Sequence, residues 1–231
     1  MNIIESIKSL TKAERLRWGI SLLAIVLSSC LFGERDALTI IASLIGATAL
    51  IFVGKGDAIG QLLTIVFAVI YAIISFRFHY YGEMITYVGM TAPSALWAMI
   101  VWLKNPYSER EVKVGKMTMV KWCLLAVSAV IVTLIMWRVL VYFNTANILF
   151  STISVTTSYL ASMLTVLRSQ YYAVLYAAND IILIILWILA SIVDICYLPM
   201  VLCFLIFLIN DLCGFINWRR MKNRQDNMKD E

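Results

Sequence analysis

The stretch Leu175–Trp187, "LYAANDIILIILW", decides the fold. Asn179 and Asp180 sit side by side in a run otherwise fit for hydrocarbon. The apolar segment around them, residues 171–190, has the length a helix needs to cross a bilayer, about 20 residues. Asp180 falls near its middle, where a charge costs roughly 2.5–3.5 kcal/mol on insertion scales, and a carboxylate kept at that cost is read first as functional. The alternative is a structural hydrogen bond to a neighbouring helix.

The whole chain fits this reading. Of its 231 residues 62% are hydrophobic and 14% charged, against about 45–50% and about 25% in soluble domains. Breaks at charged or turn-forming stretches divide it into eight apolar segments: 18–32, 37–53, 58–77, 83–103, 119–141, 146–167, 171–190 and 197–218. The polar start, "MNIIESIKSLTKAERLRW", lacks the short apolar core of a signal peptide, so the first segment is expected to be a retained membrane helix. With eight crossings both termini share a side. That side collects Lys8, Lys12, Arg15, Arg17, Lys55, the loop from Lys104 to Lys121, Arg168 and the basic tail, 16 of the 19 Lys and Arg residues. Arg35, Arg77 and Arg138 fall on the other. Positive loops face the cytoplasm, so both termini are expected there, in a multi-pass membrane protein. Topology thus accounts for the net charge of +5: the partner is the lipid bilayer, and nucleic acid is not called for.

A weak internal repeat adds an architecture. Tyr71 to Trp102 and Trp187 to Trp218 are equally spaced, and the same shift lays Thr64 on Asp180, Ser75 on Ser191, Ser94 on Asn210, Ala98 on Gly214 and Lys104 on Arg220. The turns at Lys55 and Arg168 match at a slightly smaller shift. The expected fold is an all-α membrane protein of eight transmembrane helices. Residues 1–35 give an amphipathic start and an extra helix, 36–105 a first triplet, 106–143 a loop and linker helix, 144–220 a second triplet and 221–231 a tail. An odd linker makes the triplets parallel, a transporter plan in which the substrate site lies at their interface near the midplane. Chance likeness among apolar helices is the competing explanation.

Helical spacing gathers the polar and aromatic residues into stripes. In the seventh segment these are Tyr172, Tyr176, Asn179, Asp180 and Trp187, and in the third Gln61, Thr64, Ala68, Tyr71 and Ser75. The fourth has Tyr87, Ser94 and Trp97, with Glu83 at its start, and the eighth Phe207, Asn210, Gly214 and Asn217. The hydroxyls of the sixth also suit plain helix packing. Asp211 lies deep in the eighth with no assigned role, and Arg77, His79 and Arg138 read as snorkelling to water. Five scattered cysteines and one histidine leave no material for a metal site, and no cofactor is called for. "VGKGD" (Val53–Asp57) lacks the first glycine and the Ser/Thr of a phosphate loop, and there is no HExxH or GxSxG, so an enzyme is not expected.

Residues Val53–Pro106 resemble the first half of the PnuC nicotinamide riboside transporters. The features that carry this are the Lys55–Gly56 turn, the Tyr71 segment, "YGE" at Tyr81–Glu83, Pro93 and Trp102. "FLINDLCGFINW" (Phe207–Trp218) is similar to that family's last helix, with Asn210, Gly214 and Trp218 in place. The likeness covers roughly residues 36 to 220. It implies a SWEET-like arrangement of three, one and three helices, a homotrimer, and facilitated uptake of nicotinamide riboside or a related B vitamin or nucleoside, trapped inside by a separate kinase. It also implies ligand-binding roles for Asn179 and Asn210. Leu175 stands where the nicotinamide riboside members carry Trp, and Phe67 where they carry Asn. The candidate ligand-binding set is Asn179, Asn210, Asp180, Tyr176, Trp187, Tyr71, Tyr87, Thr64 and Gln61. Two other functions stay open: a proton-coupled carrier of a cationic vitamin such as thiamine, with Asp180 as relay, and a membrane enzyme or subunit without transport.

Overall fold

The computed structural model describes residues 3–32, 37–77, 81–145 and 147–228. Arg35 and His79 lie outside these residues, and only the backbone of Glu83 is described.

A short helix α1 (Ile3–Lys8) leads into α2 (Lys12–Phe32). Thr11 caps α2: its Oγ1 accepts from the Glu14 amide (3.3 Å) while Glu14 Oε2 accepts from the Thr11 amide (2.8 Å), the reciprocal pairing of a capping box. Then come α3 (Ala37–Lys55) and α4 (Ala58–Arg77). The next span is compound: α5 (Tyr81–Thr86), a π-helical turn (Tyr87–Thr91) and α6 (Ala92–Lys104). Pro93, in the first turn of α6, has no N–H to give the preceding turn, which widens there. A hairpin of β1 (Pro106–Ser108) and β2 (Glu111–Val112) precedes α7 (Met119–Tyr142), α8 (Ile148–Val166), α9 (Tyr172–Val193) and α10 (Leu198–Asn227).

Among the described residues seven helices are long and apolar enough to cross a membrane: α3, α4, Met84–Lys104, α7, α8, α9 and α10. The fold is therefore an all-helical membrane bundle. α2 is not one of the seven, because Lys12, Glu14, Arg15 and Arg17 crowd its first turns. The rest of α2 leaves Ile20, Leu23, Leu27 and Leu31 uncovered. The last helix runs nine residues past the expected end at 218, to Asn227. Contacts with the hairpin hold this extension: Gln225 Nε2 donates to Glu111 Oε1 (2.9 Å), Gln225 Oε1 accepts from the Val114 amide (2.8 Å), and Arg224 pairs with Glu111.

The helices α3, α4 and α6 are called the first triplet, and α8, α9 and α10 the second. In the first α3 packs on α4 and α4 on α6; in the second α8 packs on α9 and α9 on α10. The triplets meet along two seams, α3 with α10 and α6 with α8, while α7 leans on α8 and α2 on α3 and α10. Where α3 crosses α10, Gly54 and Gly214 bring the backbones together, and a Cβ on Gly54 would lie 3.3 Å from the Gly214 Cα.

At the end carrying the Lys55 and Arg168 turns, two indoles brace the seams. Trp102 Nε1 donates to the Thr165 carbonyl and Trp218 Nε1 to the Val53 carbonyl, each at 2.9 Å. The rings lie 5.3 Å apart, and Tyr172 packs edge-on against Trp218. The turns themselves are alike. Gly56 and Arg168 both adopt a left-handed backbone, with φ of 77° and 58°. The segment after the hairpin is stitched to both, Val112 N donating to Gly56 O (3.0 Å) and Gly115 N to Arg168 O (2.9 Å). α1 ties in too, with Ser6 Oγ donating to Asp57 Oδ2 at 2.6 Å and Lys55 reaching the Ser9 carbonyl.

Gly60 shows how little slack the first triplet has. A Cβ there would lie 2.4 Å from the Val53 amide nitrogen, and nothing lies within 4 Å of a Cβ on Gly19. Gly60→Ala should lower stability by about 1–3 kcal/mol or more. Thermal unfolding in detergent should show a clear drop for Gly60→Ala and none for Gly19→Ala.

Candidate functional site

The two triplets enclose a cavity of about 210 Å³. It runs from the level of Val53 and Thr165, just inside the indole brace, to Thr145, Ser151 and Trp187 at the other end. Eight of the nine candidates line it: Gln61, Thr64, Tyr71, Tyr87, Tyr176, Asn179, Asp180 and Trp187.

The first triplet supplies an aromatic wall. Phe67 and Tyr71 are one helical turn apart on α4, and the π turn brings in Tyr87. The Tyr71 and Tyr87 rings are 4.4 Å apart, with Phe67 at 5.6 Å from Tyr71 and 5.8 Å from Tyr87. Gly46 on α3 keeps the neighbouring space open, since a Cβ there would meet Phe207 at 3.1 Å and Phe67 at 3.2 Å. Ser94 also lines the cavity. Trp97, read on the same stripe, lies 56% exposed on the outer surface. Three residues on from Ser94 is about 60° round the helix, enough to turn a large ring out of the cavity.

The second triplet supplies polar groups. Asn179 Oδ1 accepts from Ser154 Oγ at 2.8 Å, and Thr157 Oγ1 lies 3.0 Å from the same oxygen. With its acceptor engaged, the amide presents its N–H groups as donors. Tyr176 shares a hydrogen bond with Ser162 Oγ (3.0 Å). Trp187, near the far end, packs against Tyr197 at 5.7 Å.

Asn210 is the candidate that the structure does not bring to the cavity. Its Nδ2 donates to the Ile206 carbonyl (3.0 Å) and reaches Ser21 Oγ of α2 at 3.4 Å. The lining positions on α10 are Phe204, Phe207 and Asp211. Residue 211 lies about 40° to one side of 207 and residue 210 about 60° to the other. The stripe Phe207–Asn210–Gly214 thus follows the face shared with α2 and α3. Asp211, left without a role by the sequence, faces the site. Its carboxyl and that of Asp180 interact directly across the α9–α10 contact, both 4% exposed. Ser154 and Thr157, the partners of Asn179, were also missed, because hydroxyls are common in membrane helices for packing alone.

Among the described residues two lining side chains keep a polar atom that meets no hydrogen-bond partner, Gln61 Nε2 and Asp180 Oδ2. Among the described residues no Lys, Arg or His lines the cavity.

A bundle of membrane-crossing helices closed around a polar, aromatic-walled cavity is the build of a small-molecule membrane transport protein. The family model described as nicotinamide mononucleotide transporter matches residues 36–220. The chain belongs to that family. It is 27% identical over 213 residues to the nicotinamide riboside transporter PnuC of Neisseria mucosa, covering 90% of this chain and 81% of that one. It also superposes on the crystal structure of the vitamin B3 transporter PnuC with a TM-score of 0.80 at 25% identity, covering 94% of each chain.

Gln61 gives the site a direct test. An unmet buried donor costs about 1–3 kcal/mol, so Gln61→Leu should raise the thermal stability of the ligand-free protein. If the same N–H groups serve a ligand, calorimetry should find binding weakened about tenfold or more.

Proposed function

We propose that this chain carries nicotinamide riboside, or a related B vitamin or nucleoside, across a bacterial inner membrane by facilitated diffusion. A separate kinase would retain it inside by phosphorylation. The observation that carries this reading is the cavity: clustered aromatic side chains on one triplet, the fixed donor of Asn179 on the other, and, among the described residues, no basic side chain in the lining. Aromatic faces suit a heteroaromatic ring and an amide N–H suits carbonyl or sugar hydroxyl oxygens. A lining without Arg or Lys speaks for an unphosphorylated ligand, since bound phosphate calls for such cations.

The architecture proposed with it has eight spans, α2 being the first, followed by two parallel triplets joined by α7. The uncovered leucines of α2 support its place in lipid. The matching seams, α3 with α10 and α8 with α6, support a two-fold relation between the triplets. So do the paired indole bonds. Charge asymmetry supports an orientation with both termini, the hairpin and the indole brace on the cytoplasmic side.

The direct contact of Asp180 and Asp211 inside the cavity favours keeping proton coupling as a second reading, since membrane carboxyls do serve as relays. Uptake of labelled nicotinamide riboside into proteoliposomes separates the two. Facilitated diffusion predicts uptake down the gradient at a rate indifferent to an imposed pH difference, and coupling predicts dependence on it. Asn179→Ala should cut uptake about tenfold or more, with the protein still correctly inserted. No uptake by the wild-type protein would remove the proposal.

A further inference from the structure

We infer that Asp180 and Asp211 together select ligands by charge, so that the cavity takes a cationic heteroaromatic ring and discriminates against the uncharged form of the same molecule. This rests on the proposed function and makes its ligand class sharper.

Four observations on the page carry it. Both carboxyls line the cavity and are almost fully buried. They interact with each other, and among the described residues no basic side chain lines the same space to offset them. Asp180 Oδ2 meets no donor in the protein. Independently, Gln61, 3% exposed on the first triplet, lines the same cavity and keeps an unmet N–H donor, so among the described residues both walls of the site carry a polar atom without a partner.

Like charges side by side in a low-dielectric site oppose each other's ionisation, and a cation between them and the aromatic wall relieves that opposition. The faces of Tyr71, Tyr87 and Phe67 attract a cation in their own right. A neutral ring gains neither term. The ion pairs among the described residues do not compete: Lys55–Glu14, Arg110–Glu5 and Arg224–Glu111 all involve residues outside the cavity lining. The same reasoning excludes an anionic ligand.

Nicotinamide riboside and its reduced dihydro form provide the comparison, because they share the sugar and the carboxamide and differ in ring charge. Calorimetry on the purified full-length protein should give the oxidised form a preference of about tenfold or more. Asp211→Asn and Asp180→Asn should each bring that preference close to one, and Asp180→Glu should retain most of it. Unchanged thermal unfolding would verify that the variants are folded. Equal binding of the two forms by the wild-type protein would overturn the inference and leave the transport proposal standing. Retention of the preference in both Asn variants would overturn the assignment to this pair. Binding of neither form would overturn the proposed ligand and this inference with it.

Discussion

Two indole N–H groups fix how the helices of this protein close on one another. Trp102, on the first triplet, donates to a carbonyl of α8, and Trp218, on the second, donates to a carbonyl of α3. Each bond therefore crosses a seam, to a carbonyl near the end of its helix that also accepts from the turn beyond it, Thr165 O from Arg168 N and Val53 O from Gly56 N. In a low-dielectric interior an unmet indole N–H is costly, and opening a seam would leave one unmet. The near contact of Gly54 and Gly214 follows from the same geometry, because the indole of Trp218 reaches α3 only if α10 lies against it. The cavity is the space left between triplets pinned at one end.

How far the sequence revealed this depended on the kind of signal. Seven spans were legible because hydrocarbon demands length and apolarity, and only Ala37–Lys55 through Leu198–Asn227 supply both among the described residues. The segment 58–77 coincides with α4 to the residue, since Asp57 and Arg77 mark its ends chemically. The extension of α10 to Asn227 was not legible, because it is held by Glu111 and Val112, more than a hundred residues away. The π turn before Pro93 was equally hidden, and it carries Tyr87 of the aromatic wall.

The cavity itself was legible on α4 and α9, whose polar and aromatic stripes line it. Gln61, Thr64 and Tyr71 on α4, and Tyr176, Asn179, Asp180 and Trp187 on α9, face inward as their spacing demands. α10 has three partners, α2, α3 and α9, and a helix packed on several sides has no unique polar stripe. Periodicity alone could not choose between Asn210 and Asp211. The choice was made by α2, whose Ser21 engages Asn210 from the side away from the cavity.

On the two-triplet architecture proposed here, the positions related by the repeat divide by role. The pair that braces the bundle is chemically the same, Trp102 with Trp218, each giving its indole N–H to a carbonyl across a seam. Those that line the cavity differ: Thr64 with Asp180, and Tyr71 with Trp187. Bracing repeats because both seams have one geometric task, ending a helix and closing against its neighbour. A small asymmetric ligand presents a ring on one side and polar groups on another, and a cavity with identical walls would leave one of them mismatched. The aromatic trio on α4 and the π turn, opposed to Asn179, Asp180 and Asp211 on α9 and α10, is the asymmetry such a ligand requires.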